Sequence, residues 1–101
     1  MERKVIYDII GKYVDLDYKK EYNNIHGIKV EEYFDGVDYR MYYIPELLDI
    51  GFKCYGLYDP YYTELLNKDM LCCISYCERD LMVVWYKNEE EFLSENPNYK
   101  S

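Results

Sequence analysis

Residues 71–87 constrain the fold more than any other segment, because apolar side chains occupy both alternating sets of positions on either side of Glu78-Arg79-Asp80. Two extended runs joined by a short polar turn read as a hairpin. A strand that is apolar on both faces cannot lie on a sheet with one side in water; it must be central and covered from both sides. The chain has 101 residues, enough for one domain that buries roughly 60 to 70% of the surface exposed by its unfolded form. The expected fold is a single α+β domain over residues 1–101, with an antiparallel sheet of about four strands in two hairpins and three or four short helices.

The first hairpin is expected over residues 28–44, where Asp35-Gly36 supplies the positive φ angles of a tight turn. With Phe34 opposite Val37, this register sets Val30 against Met41 and Ile28 against Tyr43 on one face, and Glu31 against Arg40 on the other. The opposite charges of the last pair support it. Glu32 then points to the apolar face, opposite Tyr39.

Helices are expected at four places. Val5, Ile6, Ile9, Ile10 and Tyr13 share one helical face, so a helix is expected to about residue 13; a hairpin turning at Gly11-Lys12 is the rival, and the alternating stretch after it stays open. Pro45 suits a first helical position, with Leu47, Leu48 and Ile50 as a stripe and Gly51 as the stop. Asp59-Pro60 repeats the start signal, with Asp59 as N-cap and Leu65 and Leu66 on a short helix ending near Asn67 or Lys68. Asn88 with Glu91 three residues on resembles a capping box, Glu89, Glu90 and Glu91 suit the positive end of the helix dipole, and Pro97 follows the last turn.

Composition excludes several function classes. The longest apolar run, Leu81 to Tyr86, is far short of the roughly 20 residues of a membrane-spanning helix. No apolar signal-peptide core follows the charged start, so a cytoplasmic location is expected. The 20 acidic and 12 basic side chains give a net charge of −8, unevenly placed. Residues 1–30 carry six basic and five acidic groups; the remainder carries six basic and fifteen acidic groups. Such a surface repels phosphate backbones, so direct nucleic-acid binding is disfavoured and a basic protein partner is favoured. Phe, Tyr, Met, Ile, Asn and Lys supply 45 residues against 11 for Gly, Ala, Arg and Pro, the bias of an AT-rich bacterial or phage genome.

No catalytic, metal or cofactor motif is visible. Cys72 and Cys73 point to opposite faces of a strand, and Cys73 and Cys77 are about 13 Å apart along it, so they cannot share one zinc. With Cys54 they read as reduced thiols, chiefly small buried hydrophobes. His26 is a lone loop histidine, and Ser75, Ser94, Ser101 and Thr63 have no triad context. The glycines form no phosphate cradle. Asp15 with Asp17, and Asp35 with Asp38, are carboxylate pairs that could hold Mg²⁺ or act as acid and base, and both read as solvated turn or strand positions.

What stands out is tyrosine beside acid, as in Tyr7-Asp8, Asp17-Tyr18, Glu21-Tyr22, Glu32-Tyr33, Asp38-Tyr39 and Tyr58-Asp59. The 15 tyrosines exceed what so small a core can bury with satisfied hydroxyls. Exposed tyrosines give large contact areas at low entropic cost, and neighbouring carboxylates steer the chain towards a basic groove. The expected function is that of a non-catalytic acidic inhibitor, a phage-encoded anti-defence protein of anti-CRISPR or anti-restriction type. It would occupy the basic nucleic-acid groove of a host enzyme as a nucleic-acid mimic. The expected contact residues are Glu31, Glu32, Tyr33, Asp35 and Asp38, with Tyr58, Asp59, Tyr61 and Tyr62. The alternatives are an immunity protein or antitoxin against a basic toxin, and a small carboxylate-dependent enzyme.

Overall fold

A computed structural model describes residues 2–59 and 61–100, with the side chains of residues 57–59 left aside. The described chain forms a six-stranded antiparallel sheet and three helices. In chain order these are α1 (Lys4–Ile10), β1 (Lys19–Asn23), β2 (Lys29–Phe34), α2 (Arg40–Asp49), β3 (Lys53–Asp59), β4 (Tyr62–Asn67), β5 (Cys72–Cys77), β6 (Asp80–Trp85) and α3 (Glu89–Glu95). The strands lie in the order β1-β2-β6-β5-β4-β3. No helix of the described chain is long and apolar enough to cross a membrane.

The β5–β6 hairpin occupies the middle of the sheet, as its two apolar faces require. Glu78 and Arg79 both adopt positive φ, 47° and 73°, which matches a two-residue type I′ turn. One face carries Cys72, Ile74, Leu81 and Val83 into a core closed by Ile6, Ile9 and Ile10 of α1 and Tyr43 and Leu47 of α2. The opposite face carries Cys73 and Tyr86 into a smaller core around Phe92 of α3. The adjacent cysteines therefore belong to different cores. Cys72 and Cys73 are buried, whereas Cys54 is exposed and Cys77 half-buried.

α1 ends where expected in kind, three residues early. A Cβ on Gly11 would stand 2.7 Å from the Tyr7 carbonyl and 2.9 Å from Leu16, so glycine lets the following turn fold back tightly. α3 starts at Asn88, whose Oδ1 accepts from the Glu91 N–H at 2.8 Å, and Glu91 in turn accepts from the Lys87 N–H.

Three expectations are corrected. Residues 28–44 are not a hairpin: β2 is correct, but after Asp35-Gly36 the chain enters α2. The Asp35 carboxylate is 1% exposed and accepts from the Asp38 and Tyr39 N–H groups, which winds the chain into a helix instead of a returning strand. The buried pair beyond it, Tyr43 and Leu47, has the four-residue spacing of a helix. Glu31 consequently lies beside Glu21 and Val83, not Arg40, and Val30 lies beside Tyr22 and Val84, not Met41. Pro45 lies inside α2 and not at its start, whereas Gly51, at φ +105°, supplies the stop. The Gly51 and Phe52 N–H groups bond the Leu48 and Leu47 carbonyls in a Schellman arrangement.

Residues 59–68 are not a helix either. Asp59 ends β3, Pro60 lies outside the described residues, and β4 puts Leu65 and Leu66 on opposite faces in the two separate cores. Two adjacent buried leucines imitate a helical pair when both faces of a strand are covered. The strand count therefore rises from about four to six. β3 and β4 replace the expected helix, and β1 escaped notice because all five of its residues are exposed.

The buried Tyr43 hydroxyl lies near enough to the Asp35 carboxyl to stabilise its charge, but short of a well-formed hydrogen bond to any described residue. A buried hydroxyl without a partner costs about 1–3 kcal/mol. Tyr43→Phe should therefore leave stability unchanged or raise it in urea denaturation, while Asp35→Ala, which strands two backbone donors, should lose about 1–3 kcal/mol.

Candidate functional site

Helices cover the two faces of the sheet unequally. α1 and α2 close one face, whereas α3 packs only against the end of the other, through Phe92 on Tyr86, Leu66 and Cys73. The rest of that second face is open. Strand register sets two rows of side chains across it. One runs Lys20, Glu32, Met82, Ser75, Glu64; the next runs Phe34, Asp80, Cys77, Tyr62. Neighbouring strands are about 4.8 Å apart, so Phe34 and Asp80 are one step apart, while Glu32 and Glu64 stand three steps apart with Met82 and Ser75 between them.

Tyrosine hydroxyls fix the carboxylates of this face. Tyr22 donates to Glu32 at 2.8 Å and Tyr62 donates to Glu64 at 2.7 Å. The Tyr22 phenol is pushed up to about 12, by burial first and by its bond to Glu32 second. Phe34 stands 61% exposed at the corner, and with Tyr18, Lys20, Glu32 and Asp80 it borders a cleft of about 400 Å³. The Asp80 carboxyl is raised above the usual range, by burial first and then by Glu32 beside it, with Lys20 acting in the opposite direction. Two acids held together with one lysine near them are an electrostatic demand that a further cation would satisfy.

The expected contact residues divide between this face and the interior. Glu32 and Tyr62 lie on the open face, and Tyr61 is 63% exposed at the start of β4. Glu31 points to the helix-covered side, where its carboxylate accepts from Tyr7 at 2.5 Å and Tyr33 at 3.1 Å. Tyr33 and Asp35 are each 1% exposed and offer no surface. Asp38 clamps the Arg40 guanidinium through both carboxylate oxygens, which holds its carboxyl below the usual range. Arg40 also donates to Thr63 and lies over the Tyr76 ring at 4.0 Å. The Tyr58 and Asp59 side chains lie outside the described residues. Asp80, Glu64, Tyr22 and Phe34 are the members that the sequence reading missed. Alternation along β1, β2, β4 and β6 is the signal that places them, once β4 is known to be a strand.

The other chemical candidates have structural occupations. Asp15 accepts from the Asp17 N–H at 3.0 Å in a local turn. His26 is exposed in the β1–β2 turn, which Asn24 organises by accepting from the His26 and Ile28 N–H groups. Burial pushes the Cys72 and Cys73 thiols up, away from the nucleophilic thiolate. Among the described residues no three His, Cys, Asp or Glu side chains converge as metal ligands. Comparisons of the chain with protein-family models, curated proteins and solved structures found no match.

Asp80 supplies a test of this geometry. Its folded-state carboxyl is raised, so the folded protein holds the proton more tightly than the unfolded chain does. The associated stability is present below the unfolded pKa, near 3.9, and is lost as pH rises through the folded value. Asp80→Asn should therefore raise Tm at pH 7, with the difference from the parent shrinking towards pH 3.

Proposed function

We propose that the chain is a non-catalytic binding protein whose open sheet face docks on a basic partner. The observation that supports this most is the combination of Glu32, Glu64 and Asp80 with Tyr22, Phe34 and Tyr62 on the part of one sheet face over which no described helix lies. Rings supply contact area, and carboxylates held by phenols keep their positions without the cost of ordering them on association. Negative charge alternating with planar groups is what a nucleic-acid enzyme meets in its own substrate. We therefore read the protein as an acidic inhibitor that fills the nucleic-acid groove of a host enzyme. Its codon-linked composition favours a phage anti-defence protein of anti-CRISPR or anti-restriction type acting in the host cytoplasm.

Occupancy would be the whole mechanism: while the face is seated, substrate is excluded, and no group need react. A second reading draws on the Asp80–Glu32 pair, since two neighbouring carboxyl groups at a cleft, one of them raised, are also the arrangement of a general acid and base.

The deciding experiment captures the partner with the intact protein, then adds DNA or RNA and raises the salt. Displacement by nucleic acid and salt-sensitive association support groove occupancy; a partner that is not basic, or binding indifferent to salt, overturns it. With the partner in hand, the combined variant Glu32→Gln, Glu64→Gln, Asp80→Asn should slow association about tenfold or more at low salt and flatten its salt dependence. If the partner's activity returns only in step with lost binding, the enzyme reading fails.

A further inference from the structure

The two edges of the sheet are protected to different degrees. β3 is irregular, with register shifts against β4 on both sides of Leu57, and its Tyr55 hydroxyl bonds the Lys100 backbone. β1 is a regular five-residue strand, exposed at every position, with a free outer edge among the described residues. The Asn24 N–H bonds the Ile28 carbonyl, so in an antiparallel ladder the even residues of β1 turn their backbone groups towards β2. The N–H and C=O groups of Lys19, Glu21 and Asn23 therefore point outward, unpaired. Among the described residues the two most exposed large apolar side chains are Ile25, at 95%, and Tyr18, at 78%. They flank β1 at opposite ends.

We infer that β1 pairs antiparallel with β1 of a second copy of this chain, across a twofold axis at Tyr22. Antiparallel pairing brings Ile25 of each chain to the Tyr18 end of the other, covering both exposed groups. Charge favours this edge, because the first 30 residues have a net charge of +1 and the remainder −9, so two copies repel least where β1 lies. Charge also selects the register. A twofold axis through the sheet sets one residue opposite itself, and an axis at Lys19, Lys20 or Glu21 would oppose like charges. An axis at Asn23 would carry the ladder into the Asn24–Gly27 turn. The Tyr22 axis sets ring against ring and Glu21 against Asn23 of the neighbour, each such pair exchanging both backbone bonds. The same axis keeps both open faces on one side, so the inferred dimer presents the acidic surface twice. This goes beyond the docking proposal and stands or falls separately from it.

Sedimentation of the full chain over a concentration series is the first test, with a monomer–dimer equilibrium expected. Asn23→Pro removes an N–H that points only outward, so it should abolish the dimer while leaving intact the β1–β2 ladder, the circular dichroism spectrum and, at concentrations where the parent is monomeric, Tm. In a Cys54→Ser, Cys77→Ser background, Tyr22→Cys should give a disulfide-linked dimer on mild oxidation. Residues opposed at such an axis have Cα atoms about 4.5 Å apart, within disulfide reach. Lys20→Cys should not cross-link. A protein that stays monomeric at every concentration, an Asn23→Pro variant that still dimerises, or cross-linking through Lys20→Cys instead of Tyr22→Cys overturns the inference.

Discussion

A phenol taken out of water is costly unless it donates a hydrogen bond to an acceptor, and carboxylates meeting this requirement tie parts of the molecule together. Tyr7 and Tyr33 donate to Glu31, Tyr13 to Glu46, Tyr22 to Glu32 and Tyr62 to Glu64. Bonds to an ionised acceptor are roughly twice as strong as neutral ones, so each pair holds a ring and a carboxylate in one place. Tyr7 also accepts from the Trp85 indole at 2.9 Å, so one phenol ties α1 to β6 directly and to β2 through Glu31. Glu46 receives Lys12 as well as Tyr13, joining the turn after α1 to α2. α1 is thus anchored to the sheet, and the turn after it to α2, by phenols as well as by aliphatic packing.

This changes what the acidity of the chain means. A net charge of −8 suggests a uniformly negative surface, but several carboxylates are spent as internal acceptors or as partners of nearby lysines. Glu21 bridges Lys19 and Lys29, which lowers its carboxyl from the usual range, and Asp38 is committed to Arg40. What faces a partner is a smaller set, and Glu32, Glu64 and Asp80 are in it because β2, β4 and β6 leave them on the uncovered side. The acid pairs adjacent in sequence are poor guides, since neighbours on a strand face opposite ways.

The same alternation decides how much was legible beforehand. β5 and β6 were readable because two apolar faces admit no other position, and α1 and α3 because their stripe and cap are local signals. β2 was readable too. The hairpin from Ile28 to Ile44 failed at one side chain: an Asp-Gly step suits a tight strand turn, but the Asp35 carboxylate reaches forward to two N–H groups and starts a helix. The paired leucines of β4 failed for a reason that is not local, since Leu66 is buried in a cluster that Phe92 of α3, more than twenty residues later, completes. β1 has no apolar alternation and is held to β2 by its ladder and by side-chain pairs such as Tyr22 with Glu32 and Glu21 with Lys29.

Of the expected contact residues, those on the uncovered side of the sheet keep a surface role and those on the covered side become structure. Glu31 and Glu32 show the principle at one step of the chain. Glu31 turns inward and serves as acceptor to two phenols, while Glu32 turns outward beside Asp80, with a raised carboxyl for a neighbour and one nearby lysine to offset it. Placing the third helix over only one end of the sheet leaves that imbalance open to solvent. A chain with so many tyrosines and acids could have closed the face with another phenol–carboxylate layer, as it does under α1. The uncovered half-face is therefore where the two residue types that define this sequence remain available to a second molecule.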